Sequence, residues 1–199
     1  MATRDGQKTE LAMRLGDVAY TIWGTTELDG YLNHAYKTLY PTFYQVKVAT
    51  TTAGAGPVQT KPTTAQYDRL HSVGIKRDAT VTRVRPVRRW FDGDVDAIVP
   101  LLLITGQTLT WAWTEGWDSP ASGSTTLLIP IQAEEYAIVR AQISALEKVL
   151  TDRVSAEKYF AVQVRQAITE DDVVNTLDAL HVTLRAIAER QPPLPEQER

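Results

Sequence analysis

LLLITGQTLTWAWTEGWDSPASGSTTLLIPIQAEEYAIVRAQISALEKVL, residues 101–150, changes its period halfway along. In the first half Leu109, Trp111 and Trp113 fall on one side of an extended strand, with Thr108, Thr110, Ala112 and Thr114 on the other. Gly106-Gln107 divides Leu101–Thr114 into two runs, and glycine at the first central position suits a type II′ turn, so the stretch predicts a hairpin. After Pro130 the spacing changes. Tyr136, Val139, Ile143, Leu146 and Leu150 step by three and four, which predicts a long amphipathic helix whose pattern carries on past Val154. Between the two halves, Asp118–Ser124 reads as a polar loop and Leu127–Ile129 as a short returning strand.

Towards the C-terminus a second helix begins at Thr169, where Asp172 three residues later completes a capping-box pattern. Val173, Leu177, Leu180, Leu184 and Ile187 supply its apolar stripe up to about Arg190, roughly 30 Å of helix. Pro192, Pro193 and Pro195 then break the pattern. Towards the N-terminus, Leu28, Tyr31, Leu32, Ala35, Tyr36 and Leu39 mark one buried helical face, with Thr26 and Asp29 as a capping box and Pro41 as the stop. A shorter helix precedes it, Leu11–Leu15, terminated at Gly16-Asp17, and Trp23 lies in the connecting loop.

Between Thr42 and Ile129 the character is β. Tyr44, Val46 and Val48 alternate; Tyr67–Lys76 and Thr80–Arg89 lean to strand, with Pro86 favouring an edge or a bulge. Thr50–Gln66 has no apolar period and reads as a long loop, either mobile or functional. The fold class expected is α+β: an N-terminal helical hairpin (1–41) and two long C-terminal helices (130–190) form one scaffold. A β-rich segment (42–129, with loop 50–66) is inserted between them, and an extended tail (191–199) follows. With 43% hydrophobic and 23% charged residues, the 199-residue chain can bury a sizeable core.

The chemistry-bearing patterns are few. The chain has no cysteine, which excludes disulfides and thiolate chemistry. A net charge of -3 gives no strong field for nucleic acid or an anionic membrane. Met1–Glu10 lacks the apolar core of a signal peptide, and the longest apolar run, Ala97–Ile104, is too short to span a bilayer, so a soluble protein is expected. Asp92-Gly93-Asp94-Val95-Asp96 begins like a calcium loop, but Ala97 stands where glycine is required and Leu103 where glutamate is required; an acidic turn between strands is the reading preferred.

His34, His71 and His181 are scattered, with no ligand spacing. Glu134-Glu135 and Asp171-Asp172 fall in first helical turns, where the helix dipole favours negative charge. Gly54-Ala55-Gly56-Pro57 precedes no helix and so is no phosphate loop. Arg83, Arg85, Arg88 and Arg89, near Lys76 and Arg77 and followed by Trp90-Phe91, form the one basic cluster; a solvated strand face or a patch for an acidic protein partner is preferred over nucleic acid. No catalytic constellation, metal site or cofactor site is expected. A competing class is a β module that binds carbohydrate or peptide on Trp111, Trp113 and Trp117, of which Trp117 is the expected exposed contact.

Leu15-Gly16-Asp17, then Trp23, then Thr26-Glu27-Leu28 leading into Tyr31-Leu32-Asn33-His34-Ala35, resembles the opening of tailed-bacteriophage head-to-tail connector (adaptor, or neck) proteins. Ile129-Pro130 through Glu134-Glu135-Tyr136 is similar to their return to the helical scaffold. The β middle is larger than in the all-helical connectors. The resemblance implies a non-enzymatic virion protein of the neck, made in the host bacterial cytoplasm. It further implies a homo-oligomeric, twelvefold ring under the portal protein, a downstream neck or tail protein as second partner, and DNA passing without sequence-specific binding. On that reading Gln191, Pro192, Pro193, Leu194, Pro195 and Arg199 form a portal-docking peptide, and Thr52, Gly54, Gly56, Pro57 and Lys61 an assembly contact loop.

Overall fold

In a computed structural model of the chain, residues 3–55, 59–60, 69–76, 82–85, 88–92, 95–99, 106–117, 129–162 and 168–191 are described. Helix α1 runs over Arg4–Arg14 and α2 over Thr25–Lys37; α3 (Ile131–Thr151), α4 (Arg153–Val162) and α5 (Glu170–Glu189) follow the strands. The strands are β1 (Gln45–Thr52), β2 (Gln59–Thr60), β3 (Arg69–Lys76), β4 (Thr82–Arg85), β5 (Arg88–Asp92), β6 (Val95–Val99) and β7 (Thr108–Glu115). The class is α+β. Helices and strands segregate into two compact units, one of Met1–Phe43 with Trp117–Pro192, the other containing Tyr44–Gly116.

In the helical unit, α1 starts a full two turns before the apolar run that marks it, because Thr3 caps the Gly6 N–H (3.1 Å). Its early residues are polar yet buried: Arg4 is 4% exposed and Gln7 1%. Arg4 donates to the Asp29 carbonyl (2.7 Å) and to Asn33 Oδ1 (2.9 Å), and the Tyr36 hydroxyl donates to Gln7 Oε1. Burial pushes the Tyr36 phenol up to about 12.

The capping box expected of Thr26 and Asp29 does not form. Gly24 is the N-cap of α2 and makes no side-chain cap bond. Asp29 instead pairs with Lys8 (3.1 Å) and Arg4 (3.4 Å), since two cations outbid one backbone N–H for its carboxylate. The helix ends at Lys37, ahead of Pro41.

α3 is the centre of the unit and touches α1, α2, α4 and α5. Ala133, Ala137, Ala141 and Ala145 are fully buried among Ile143, Leu146 and Val149; small side chains let neighbours approach from several sides. The helix does not continue past Val154 as its periodicity predicts. It stops at Asp152, whose backbone is extended (φ -117°, ψ 112°), and α4 begins at the next residue. Val149, Ala156 and Tyr159 would line one face of an unbroken helix, and position 152 lies on that same face. A carboxylate there would enter the core, so it leaves the helix and caps α4, accepting from Ser155 Oγ and the Ser155 N–H (3.3 Å). Asp152→Leu is therefore expected to fuse α3 and α4. Spin labels at positions 140 and 160 would then separate to roughly 30 Å, the span of twenty helical residues; an unchanged label distance would refute this.

In the strand unit, β7 is central. The first sheet has the order β1-β7-β3-β4 and the second β2-β6-β5, with every pair antiparallel. β7 pairs with β1 from Gln45↔Glu115 to Thr52↔Thr108, and with β3 from Arg69↔Thr114 to Lys76↔Thr108. Both hydrogen-bonding edges of β7 are thus taken, and the hairpin expected over Leu101–Thr114 is not formed; residues 101–105 lie outside the described residues. Gly106, at φ +90°, is bridged instead to Ala53: its N–H donates to the Ala53 carbonyl (3.0 Å), and the Ala53 N–H donates to Gln107 O (2.8 Å).

The long loop expected at Thr50–Gln66 is also shortened. Thr50–Thr52 complete β1 and Gln59–Thr60 pair with β6. Threonine is β-branched and suits a pleated surface, which outweighs the missing apolar alternation. Leu109 and Trp111 are fully buried and Trp113 is 5% exposed. Val46 and Val48, 58% and 64% exposed, are on the other face, so the apolar alternation of β1 marks the outside of the sheet. β4 is an edge strand, and the Asp92↔Val95 pairing joins β5 to β6. No described helix is long and apolar enough to cross a membrane.

Candidate functional site

Leu15-Gly16-Asp17 through Trp23 forms one built element. Leu15 is buried and Gly16 takes φ +70°, the left-handed conformation that ends a helix. The Gly16 N–H donates to Met13 O (3.1 Å) and the Asp17 N–H to Ala12 O (2.9 Å), the paired bonds of a Schellman motif. The chain then wraps around the Asp17 carboxylate, which is 2% exposed. Oδ1 accepts from the Thr21 N–H (2.7 Å) and hydroxyl (2.8 Å); Oδ2 accepts from the N–H groups of Ile22 and Trp23 (2.9 Å each). Tyr20 completes the loop at φ +56°. Trp23 follows at 1% exposure, its ring 5.6 Å from Tyr159 of α4.

The charged residues around this element are fasteners between helices. Arg14 forks onto Glu135 (2.8 and 2.9 Å) and joins α1 to α3; Glu135 holds the guanidinium well above its ordinary range. Glu27 accepts from the Tyr31 hydroxyl (2.8 Å) and from Lys148, joining α2 to α3. Burial, then Glu27, pushes the Tyr31 phenol up, and the bond to Glu27 raises Lys148. Neither group is poised to titrate near neutrality, so this cluster is suited to fastening rather than to proton transfer.

Of the paired carboxylates, Glu135 is the Arg14 partner and Asp172 closes the capping box of α5 with Thr169. The hydrogen bonds from the Thr169 backbone and hydroxyl lower the Asp172 pKa below its ordinary 3.8. A lowered folded pKa contributes stability above the unfolded value that is lost as pH falls through the folded one. Fraying of α5 is therefore expected to set in below about pH 3.8. In an acid titration followed by circular dichroism, Asp172→Asn would flatten that portion of the curve, and an unaltered curve would count against it. His34 and His181 are exposed. Among the described residues no three His, Asp or Glu gather to hold a metal ion.

Of the expected contact residues, Gln191, Thr52 and Gly54 are among the described residues. Gln191 follows α5, half-buried, with its N–H on Ala188 O (3.0 Å); Pro192, Pro193, Leu194, Pro195 and Arg199 lie outside the described residues. Thr52 is exposed opposite Thr108 and Gly54 is exposed beyond β1, while Gly56, Pro57 and Lys61 lie outside the described residues.

Trp111 and Trp113 are core residues, as their alternation on a strand favours, and do not form the exposed trio of the competing binding-module reading. Trp111 and Trp113 are buried on β7, their ring N–H groups donating to Thr51 Oγ1 (2.7 Å) and Glu115 Oε2 (2.9 Å). Trp117, expected exposed, is half-buried against the core of the helical unit. That placement takes the indole faces of Trp111 and Trp113 away from any ligand. The Asp17 collar escaped the sequence reading. Its signal was available: an acidic residue directly after a helix-ending glycine, followed by a short loop rich in unpaired donors. No protein-family model matches the chain, and no curated protein is similar to it.

Proposed function

We propose that the chain is a structural, non-enzymatic subunit of a tailed-phage neck, the head-to-tail connector that rings the DNA channel beneath the portal. The observation that carries this reading is the Leu15–Trp23 element. The residues on which the resemblance rests act together as one device, a helix end, a carboxylate collar and a tryptophan plug, delivering the chain into α2. A helical scaffold drawn from both ends of the chain, with strands inserted, also supports it. In such a ring each subunit presents a different patch to each neighbour.

The portal protein is the upper partner and a downstream neck or tail protein the lower one. DNA passes without sequence-specific contact. Residues 191–199, with Pro192, Pro193 and Pro195 among them, are the docking peptide. Removing the gene from its phage is expected to leave DNA-filled heads without tails, rescued by adding purified chain; infectious particles that form normally without it would overturn the reading. Chain truncated after Arg190 should keep its helicity and lose capture by purified portal rings.

A further inference from the structure

We propose that the outward face of α5 docks on the cationic β4–β5 strands of a second copy of this chain, making a head-to-tail contact between subunits. The inference rests on the reading of the chain as an assembly subunit and names the surfaces that assemble it. In α1 to α4 the carboxylates of Asp5, Glu10, Glu27, Asp29, Glu135 and Glu157 pair with cations of the same unit, while Glu134 and Glu147 of α3 have no ion pair among the described residues. In α5 no described carboxylate has one. Glu170, Asp171, Asp172 and Asp178 are exposed, and none of them has a cationic partner among the described residues. From Glu170 to Leu184 the sequence carries no lysine or arginine.

Asp171, Asp178 and Val182, seven and four residues apart, form a stripe opposite the buried Val173 and Leu177. Val182 is 70% exposed and Val174, beside the stripe, 42%. An apolar residue set among unpaired acids is a poor surface to leave in water and a good one to cover with an amphipathic, cationic partner.

The same chain supplies that partner. Residues 76–89 hold six lysines and arginines against Asp78 alone, in a protein whose net charge is -3. Arg83 and Arg85 belong to β4 and Arg88 and Arg89 to β5, and each strand is the edge of its sheet. An excess of one sign on the strands and of the other on α5 favours pairing between copies, because like faces repel and unlike faces attract. Two different patches on each subunit make the contact heterologous, the type that builds rings or filaments rather than closed dimers.

The absence of cysteine gives a clean test. Full-length Asn175→Cys chain, labelled on the outward face of α5, is mixed with Thr82→Cys chain under mild oxidation. The mixed disulfide should form at least about tenfold faster at ~50 mM than at ~1 M salt, since screening removes the attraction. Asp171→Arg with Asp178→Arg on the first chain should abolish the acceleration. Arg83→Glu with Arg85→Glu on the second should restore it. The aspartates are exposed, so their reversal leaves the fold intact and tests the contact even if the strand variants fold poorly. Cross-linking that ignores salt and the aspartate reversals overturns the proposal. So does retardation of duplex DNA that is lost in the Arg83→Glu/Arg85→Glu chain while cross-linking is unmoved by the aspartates, which would assign the strands to nucleic acid. Portal capture without the cross-link would sink this contact alone, and a cross-link in a chain that no portal captures would sink the connector reading alone.

Discussion

Asp17→Ala is expected to destabilise the helical unit by about 3–5 kcal/mol and to lower its melting temperature by roughly 10–20 °C. The carboxylate accepts four hydrogen bonds, three of them from backbone N–H groups that have no other place to go. Truncation leaves those donors buried and unsatisfied and removes the charge that orders residues 18–23. Asp17→Asn separates acceptor chemistry from volume. It is the same size, but its amide presents N–H to N–H on one side, so it should recover less than half of the loss. Thermal unfolding followed at 222 nm checks both. An alanine variant that melts within a few degrees of wild type would show that the collar is ornamental, and would remove the main support for the proposed function.

Trp111→Ala is expected to cost about 3–5 kcal/mol in the strand unit, through lost burial and an unfilled cavity. Trp111 is fully buried on the central strand and tied to Thr51 of β1, so its removal loosens the pairing that joins the first strand to the last. Were the tryptophans a ligand platform, the same substitution would abolish binding and leave stability within about 0.5 kcal/mol, as surface changes do. Denaturant unfolding, with hydrogen exchange of the β1 and β7 amides, distinguishes the two results.

How far the sequence alone reaches is clear from particular residues. The α5 stripe was legible because a single face of that helix is apolar, and the α3 stripe because its large apolar residues keep the helical period, although its alanines are buried on further sides. The strand Thr108–Glu115 was legible for the same reason, but its partners were not. A turn signal such as Gly106-Gln107 says that the chain reverses, and only tertiary competition decides that Ala53 closes it. Polar side chains are where local reading fails. Arg4 and Gln7 enter the core because Asp29, Asn33 and Tyr36 meet them there, and Asp29 abandons a cap for a better partner. Asp152 shows the reverse: one carboxylate on a core face breaks a helix that the apolar period would continue. The candidate surfaces were half legible. The arginines of β4 and β5 stood out by composition, whereas Asp171-Asp172 of α5 were explained locally by the helix dipole, and that they have no cationic partner among the described residues is seen only in the structure.

The helical unit is assembled from two lengths of chain separated in synthesis by the whole strand unit. α1 and α2 are made with Leu11, Leu28, Leu32 and Tyr36 still lacking α3, which packs on both helices and is made only after every described strand. The strand unit has a matching delay, since β1 waits for β7, while the β3–β4 and β5–β6 pairs can close as soon as they appear. Between the synthesis of α2 and that of α3 the nascent chain therefore carries an open helical face, and exposed apolar surface invites aggregation or chaperone capture. The Asp17 collar needs only residues 12–23 and is complete before any strand is made. It fixes the angle between α1 and α2 before the rest of the unit exists, so that the hairpin waits in a shape α3 can join.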